Sequence, residues 1–391
     1  MRRMVTGGAV AVMLAAGSSA HAITGNEPEF RKLAEDVYAY IGKLNDSNAM
    51  AIVTSEGVVL VDTGNNTTDT RALLKHVQSV TKQPVRYVIV TQNHNDHSGG
   101  AVLFSPPART IVHERVAKQW TSLRPHQITA WRRRFPERTG ALERLTPTDT
   151  VQSVGNQFTL RLGGKEIQTI YVPDEYNPGD IAVWLPKERI LHASMAGYKD
   201  RHPDIRPDYS HGTTEGILKQ LKAYITLRPQ TVVPAHGPVS GGWLLEGMVE
   251  YMLLARDGVQ EMMKTGMPLA AIEKEFRMNS FKDWDRPEHL PWMAATIHRE
   301  LQGLPPQVIK TTERRVSGVV ASAVQDGRRV TVTGGDGMPV VLRVTGDTIF
   351  QGAIGDRTEI RSGMNVSAVY EVPEGIAPTL GYDTLELTIA R

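Results

Sequence analysis

The chain contains no cysteine. That excludes disulfides, thiolate metal sites and a cysteine nucleophile. Any bound metal must be held by His, Asp, Glu or weaker oxygen ligands. A strong charge of either sign is also missing: the formal net charge is +2 over 391 residues. So balanced a chain has no global attraction to nucleic acid or to an anionic membrane surface. There is no tandem repeat, no low-complexity tract and no internal apolar run long enough to cross a bilayer.

What is present is ordinary globular material, 40% hydrophobic and 22% charged. The length suits one large domain plus a small one, or two medium domains. Arg132, Arg133, Arg134 and Arg138 form the one local basic run. Such a run is usually a solvated helix face; the sharper alternative is a rim that draws in anionic substrates. At the N-terminus, Arg2 and Arg3 precede an apolar or small stretch from Val5 to Ala16, then Ala20-His21-Ala22. This predicts a secretory signal cleaved after Ala22. The stretch is too short to span a bilayer, so the expectation is a periplasmic or secreted protein with no stable membrane anchor.

Val37 to Ile41, Ala51 to Val53 and Gly57 to Val61 read as strands, the last ending at Asp62-Thr63-Gly64. Asp69 to Val80 has helical spacing, with Leu73, Leu74, Val77 and Val80 on one face. Val85 to Val90 is a strand that runs into Thr91-Gln92-Asn93-His94. Open α/β sheets build sites where such strands end. Further strands are expected at Ile111-Val112, Phe158 to Leu162, Ile167 to Val172, Ile181 to Leu185, Arg189 to Leu191 and Thr231 to Val233. Glu114 to Trp120 and Thr213 to Leu227 read as helices. Thr121 to Thr150 is rich in Arg and Pro and could be a substrate-covering insertion. Trp243 to Gly303 is helical, broken at Met267-Pro268 and at Pro287 to Pro291. After Pro305-Pro306 the chain turns to alternating Val, Thr and Gly, which reads as a small all-β unit.

His94, Asp96 and His97 fall within four residues just past a strand. An extended loop can point such neighbours at one ion, and imidazole with carboxylate suits a divalent metal such as zinc. His236, in Pro234-Ala235-His236-Gly237, also follows a strand and is a candidate third ligand.

Together these motifs resemble the metallo-β-lactamase fold superfamily. Its signature is a Thr/Ser-His-x-His-x-Asp-His-x-Gly-Gly loop after a strand, and Thr91 to Gly100 reads Thr-Gln-Asn-His-Asn-Asp-His-Ser-Gly-Gly. Asp62-Thr63-Gly64, Pro178-Gly179-Asp180 and Pro234-Ala235-His236-Gly237 match three further motifs in the same order. The resemblance covers about Val37 to Gly303. It implies a four-layer αβ/βα sandwich with a metal centre along one edge of two sheets. With the signal and the C-terminal strands read above, the expected domains are a signal peptide (1–22), a hydrolase domain (23–305) and a small β-rich domain (306–391).

The resemblance also assigns metal ligands. Asp96, His97 and His236 match the residues that hold one metal, and they leave a fourth position for water, as in a catalytic zinc site. The other site departs from the pattern. Gln92 stands in place of the first His, beside His94, and the position of the remaining His is Tyr176. Glu175 could lend a carboxylate, as a Glu does near there in the alkylsulfatase branch, or Tyr176 a phenol; Tyr176 could equally be a packed aromatic. Met195 lies about where many members carry a bridging Asp. Gln at the first position also occurs in the third β-lactamase subclass, so these changes do not by themselves imply a dead enzyme.

The implied chemistry is metal-assisted hydrolysis of an ester, lactone, amide or β-lactam bond. A metal-bound hydroxide, formed as the pKa of water drops from about 16 towards 7, is the attacking group. Asp96 is expected to ligate the metal and orient that water, and Tyr176 to donate to the oxyanion or leaving group. One or two zinc ions are implied, with a small-molecule substrate and no nucleic acid. An alkylsulfatase-like sulfate-ester hydrolase is the alternative enzyme. A non-catalytic relative that has lost one metal is the alternative from another class. For the C-terminal β unit, shielding, homodimer formation and surface binding stay open.

Overall fold

The computed structural model describes residues 28–42, 47–64, 67–104, 107–118, 151–173, 179–208, 212–307, 310–324, 327–344, 348–354, 357–373 and 381–390. The signal segment, the Arg132–Arg138 run, the insertion from Thr121 to Thr150, and Glu175 with Tyr176 lie outside these residues.

A seven-stranded sheet runs in sequence order: β1 (Glu29–Ala34), β2 (Val37–Ile41), β3 (Ala49–Thr54), β4 (Gly57–Val61), β5 (Val85–Ile89), β6 (Arg109–His113) and β7 (Val151–Val154). Its first strands are antiparallel, and β4, β5, β6 and β7 are parallel. Every residue of β4 is buried, which is why it reads as an unbroken apolar run rather than an alternating one. Helix α1 (Thr67–Val80) makes the crossover from β4 to β5.

A second sheet has six strands in the order β13-β12-β11-β10-β9-β8. These are β8 (Gln157–Leu162), β9 (Lys165–Tyr171), β10 (Ile181–Leu185), β11 (Ile190–His192), β12 (Thr231–Val233) and β13 (Ser240–Gly241). Three apolar clusters show how the layers stack. Ile52, Val59, Val61 and Ile89 of the first sheet share one cluster with Ile167, Ile181, Val183 and Val233 of the second. Leu73 and Val77 of α1 cover the outer face of the first sheet at Leu60 and Val88. Outside the second sheet lie α4 (Thr214–Thr226), α5 (Trp243–Lys264) and α7 (Leu290–Leu301); the short helices are α2 (Asn95–Ser98), α3 (Ala101–Phe104), which packs with the first sheet, and α6 (Leu269–Glu275). Leu221, Tyr224, Met248, Tyr251 and Met293 bury Trp184, Leu191 and Val232 there. The result is the four-layer αβ/βα sandwich.

One expectation changes locally. The stretch after β5 is not an extended loop: residues 95–98 form a single helical turn, with Ser98 N donating to His94 O at 3.0 Å.

The C-terminal strands form a third sheet: β14 (Thr311–Val324), β15 (Arg329–Gly334), β16 (Pro339–Arg343), β17 (Ile349–Gly352), β18 (Asn365–Pro373) and β19 (Tyr382–Ile389). β16 also pairs with β19, so β16-β15-β14-β18-β19 closes into a five-stranded barrel. Of the barrel strands, β14, β15 and β16 follow one another as antiparallel neighbours and the fourth, β18, lies beside β14, which is a Greek key. β14 serves two partners, β18 along its first part and β15 along its second, and is bulged between Val320 and Ser322. Gly318 sits where the two pairings overlap; a Cβ there would meet Thr333 O at 1.9 Å. Val320, Val330, Val332, Leu342, Leu387 and Ile389 fill the barrel.

Candidate metal centre

The C-terminal ends of β4, β5, β11 and β12 meet along one edge of the sandwich. β4 delivers Asp62, β5 delivers Gln92 to His97, β11 ends at His192, and β12 leads to His236. Asp96, His97 and His236 each offer one ligand atom, and these atoms lie within 4.8 Å of one another. Asp96 Oδ2 stands between the two rings, 3.7 Å from His97 Nε2 and 3.4 Å from His236 Nε2.

His97 is held from behind. Its Nδ1 donates to Asp62 Oδ2 at 2.7 Å, with both side chains fully buried. Asp62 also accepts from Thr91 N at 2.8 Å and Thr91 Oγ1 at 2.7 Å. A carboxylate that takes one ring N–H leaves the other nitrogen with its lone pair aimed forward, as metal-ligating histidines require. His97 Nε2 is buried with no hydrogen-bond partner. Burial alone would lower the His97 pKa, but the charges of Asp96 and Asp62 and the Asp62 bond outweigh it and raise it to about 9. The environment therefore favours a positive charge at this point.

His236 depends on Asn48. The Asn48 amide donates to Pro234 O at 2.9 Å and Gly237 O at 2.7 Å, and Asn48 N donates to Ala235 O at 2.9 Å. Gly237 has φ +92°, and a Cβ there would lie 2.1 Å from Lys199 O. Tyr198 stacks on the His236 ring, with centroids 5.6 Å apart. Ser47 Oγ donates to Asp96 O and ties the two ligand loops together. Arg201 Nη1 contacts His236 Nδ1 at 2.9 Å. A guanidinium only donates, so this contact claims the Nδ1 lone pair and places a positive charge beside the site.

The other half of the first loop is arranged differently. His94 Nδ1 and the carbonyl of Gln92 are hydrogen-bonded to each other, and His94 is not in the converging group. Met195 is buried in a turn after β11 and brings no carboxylate. His192 is fully buried with its Nε2 3.8 Å from Asp62 Oδ2; burial outweighs that charge and lowers its pKa to about 4. Asp180 is tied to Ser194 and Gln220, and burial raises its pKa to about 7. The Asp62-Thr63-Gly64 motif stands out in the sequence, but the task of Asp62 does not. Ser47, Asn48, Tyr198 and Arg201 carried no motif at all.

Two buried nitrogens and a part-exposed oxygen, converging and steadied by an outer carboxylate, fit a first-row divalent ion. On this sandwich they define a metal-binding hydrolase. Residues 42–236 match the sequence profile of the Metallo-beta-lactamase superfamily. The chain belongs to that superfamily and is one of its hydrolases. A metallo-beta-lactamase type 2 from Bacillus cereus is 29% identical over 210 residues, 53% of this chain and 73% of its own. A linear primary-alkylsulfatase from Pseudomonas sp. (strain ATCC 19151) is 22% identical over 241 residues, 52% of this chain and 43% of its own. The solved structure of a stereoselective inverting sec-alkylsulfatase from Pseudomonas sp. superimposes with a TM-score of 0.52 at 16% identity, covering 71% of this chain and 51% of that one. This last likeness is one of fold.

Proposed function

We propose that the protein is an exported zinc-dependent hydrolase that works with one tightly held ion, at Asp96, His97 and His236. The observation that carries this reading is the convergence of their ligand atoms in front of the Asp62–His97 hydrogen bond. Zinc there would supply Lewis acidity and lower the pKa of a water towards neutrality. Asp96 is the most exposed of the three, its side chain 18% accessible, and its carboxylate is the group of the three that can accept a proton from a water. His97 and His236 are sealed off and act by position. The mutual bond of Gln92 and His94 supports a single-ion reading, since it occupies the carbonyl that a second ion would need.

Export rests on the signal pattern ending at Ala22, and the hydrolase domain is taken to run from residue 23 to 305, with the barrel from 306 to 391. For the substrate, the Bacillus cereus relative points to a β-lactam and the Pseudomonas relative to a sulfate ester. Esters, lactones and amides belong to the same carbonyl class as the β-lactam.

The test is elemental analysis after zinc reconstitution, followed by assays of β-lactam, lactone, ester and sulfate-ester substrates. One zinc per chain, an inactive His97→Ala and an unaffected Gln92→Ala are expected. Far less than one zinc per chain, or full activity in His97→Ala, would overturn the proposal.

A further inference from the structure

The seam between the sandwich and the barrel holds four guanidinium groups. Arg201, Arg286, Arg328 and Arg357 are each less than a tenth exposed. The first two come from the sandwich side; Arg328 immediately precedes β15, and Arg357 opens a turn between β17 and β18. Asp285 stands among them. It accepts from Arg328 Nη1 at 2.7 Å, and its other oxygen is 3.8 Å from Arg286 Nε, too far for a hydrogen bond. Asp204, a further carboxylate of the sandwich, is already forked by Arg206 at 3.1 and 3.0 Å.

Arg286 is the anomaly. Its Nε is buried with no hydrogen-bond acceptor, and so is the Nε of Arg328. The charges of Arg201, Arg328 and Arg357 all bear on Arg286, and among the described residues Asp285 is the carboxylate that offsets them there. A buried lysine in such company could shed its proton; a guanidinium cannot. Arg286 also holds a left-handed backbone, φ +62° and ψ +46°, which a residue with a Cβ keeps only where its surroundings enforce it. Burying positive charge in this way calls for an anion.

We propose that Arg201, Arg286, Arg328 and Arg357 form a binding site, at the seam between sandwich and barrel, for a small oxyanion of the sulfate, phosphate or carboxylate class. Planar guanidinium forks match two oxygens of such a group at once. Arg201 joins this site to the metal centre, because the same guanidinium touches His236. The anion can be free in solution or be the charged end of a substrate whose scissile bond lies at Asp96.

The test is calorimetric titration of the full-length protein with inorganic sulfate and inorganic phosphate, with sodium chloride at equal ionic strength as the control. Saturable binding is expected, weakened at least tenfold in Arg286→Met and in Arg357→Met. Sulfate should raise the Tm of the wild type and leave that of Arg286→Met unchanged. Should Arg286→Met fail to fold, Arg357→Met carries the comparison. No saturable binding of either anion, or equal affinity in the wild type and the folded variants, overturns the proposal. Binding is read without turnover, so the result is independent of the proposed hydrolysis. Competitive inhibition by sulfate of an anionic substrate would assign the site to the substrate's charged end. Binding without inhibition would assign it to a free anion that ties the two parts together.

Discussion

Asp62 Oδ2 and His97 Nδ1 are 2.7 Å apart, fully buried, and 35 residues apart in the chain. This pair sets the direction of the His97 lone pair. Asp62→Asn keeps the shape but loses the carboxylate's preference for the Nδ1–H tautomer. Zinc affinity should fall by roughly 10–100-fold, the range for outer-shell carboxylates. A competition titration against a chromogenic chelator measures it. Unchanged affinity would mean that His97 does not bind through Nε2.

Arg201 acts in the opposite sense. Its guanidinium lies against His236 Nδ1, and ligation at Nε2 would leave an N–H at Nδ1 facing another donor. Arg201→Met should therefore tighten zinc binding, on the order of tenfold for a charge removed at this range. The same chelator competition decides the sign. Weaker binding in Arg201→Met would show that the arginine steadies the ring instead.

Asn48 is the buried clamp on the His236 loop. Asn48→Ala removes both amide donors and leaves Pro234 O and Gly237 O without them. Each such loss costs about 1–3 kcal/mol, so a total of roughly 2–6 kcal/mol is expected in urea unfolding, with the m-value unchanged. Zinc affinity should fall as well, because the loop no longer holds the ring in place. A loss of stability with full affinity would separate Asn48 from the metal site.

Acid should destabilise the fold through two histidines. Burial lowers the pKa of His192 and of His202 to about 4, against Asp62's charge in the first case and Asp285's in the second. Both remain neutral in the folded protein while the unfolded chain protonates them near 6.5. Their contribution is fully present above pH 6.5 and is lost as pH falls towards 4. His202→Gln, which keeps a polar partner for Tyr251 Oη, should flatten the fall in Tm between pH 6.5 and 4. An equally steep fall in the variant would place the acid sensitivity elsewhere.

Much of the site's location was legible in advance. The apolar runs of β4 and β5 are continuous because both faces are covered, and polar clusters stand out where such runs stop. Asp96 and His97 are neighbours in the chain, so their partnership needs no fold to reveal it. Asn48 and Asp62 are different. An Asn before a strand and an Asp after one are common, and nothing local marks the first as the clamp on residues some 190 positions later or the second as the holder of His97.

By itself, the sequence determined which segments become strands and helices, because burial on one or both faces leaves a period that can be counted. It also narrowed the donor set, because the absence of cysteine excludes thiolate and the two polar loops carry His and Asp. The tertiary structure decided what those groups do. Packing sheet on sheet brought the end of β12 to the end of β5, so that His236 joined Asp96 and His97. Closing the barrel against the sandwich gathered Arg201, Arg286, Arg328 and Arg357 from positions more than 150 residues apart. Periodicity records which face of an element is covered, but not by what, and charge acts on whatever the packing brings within reach.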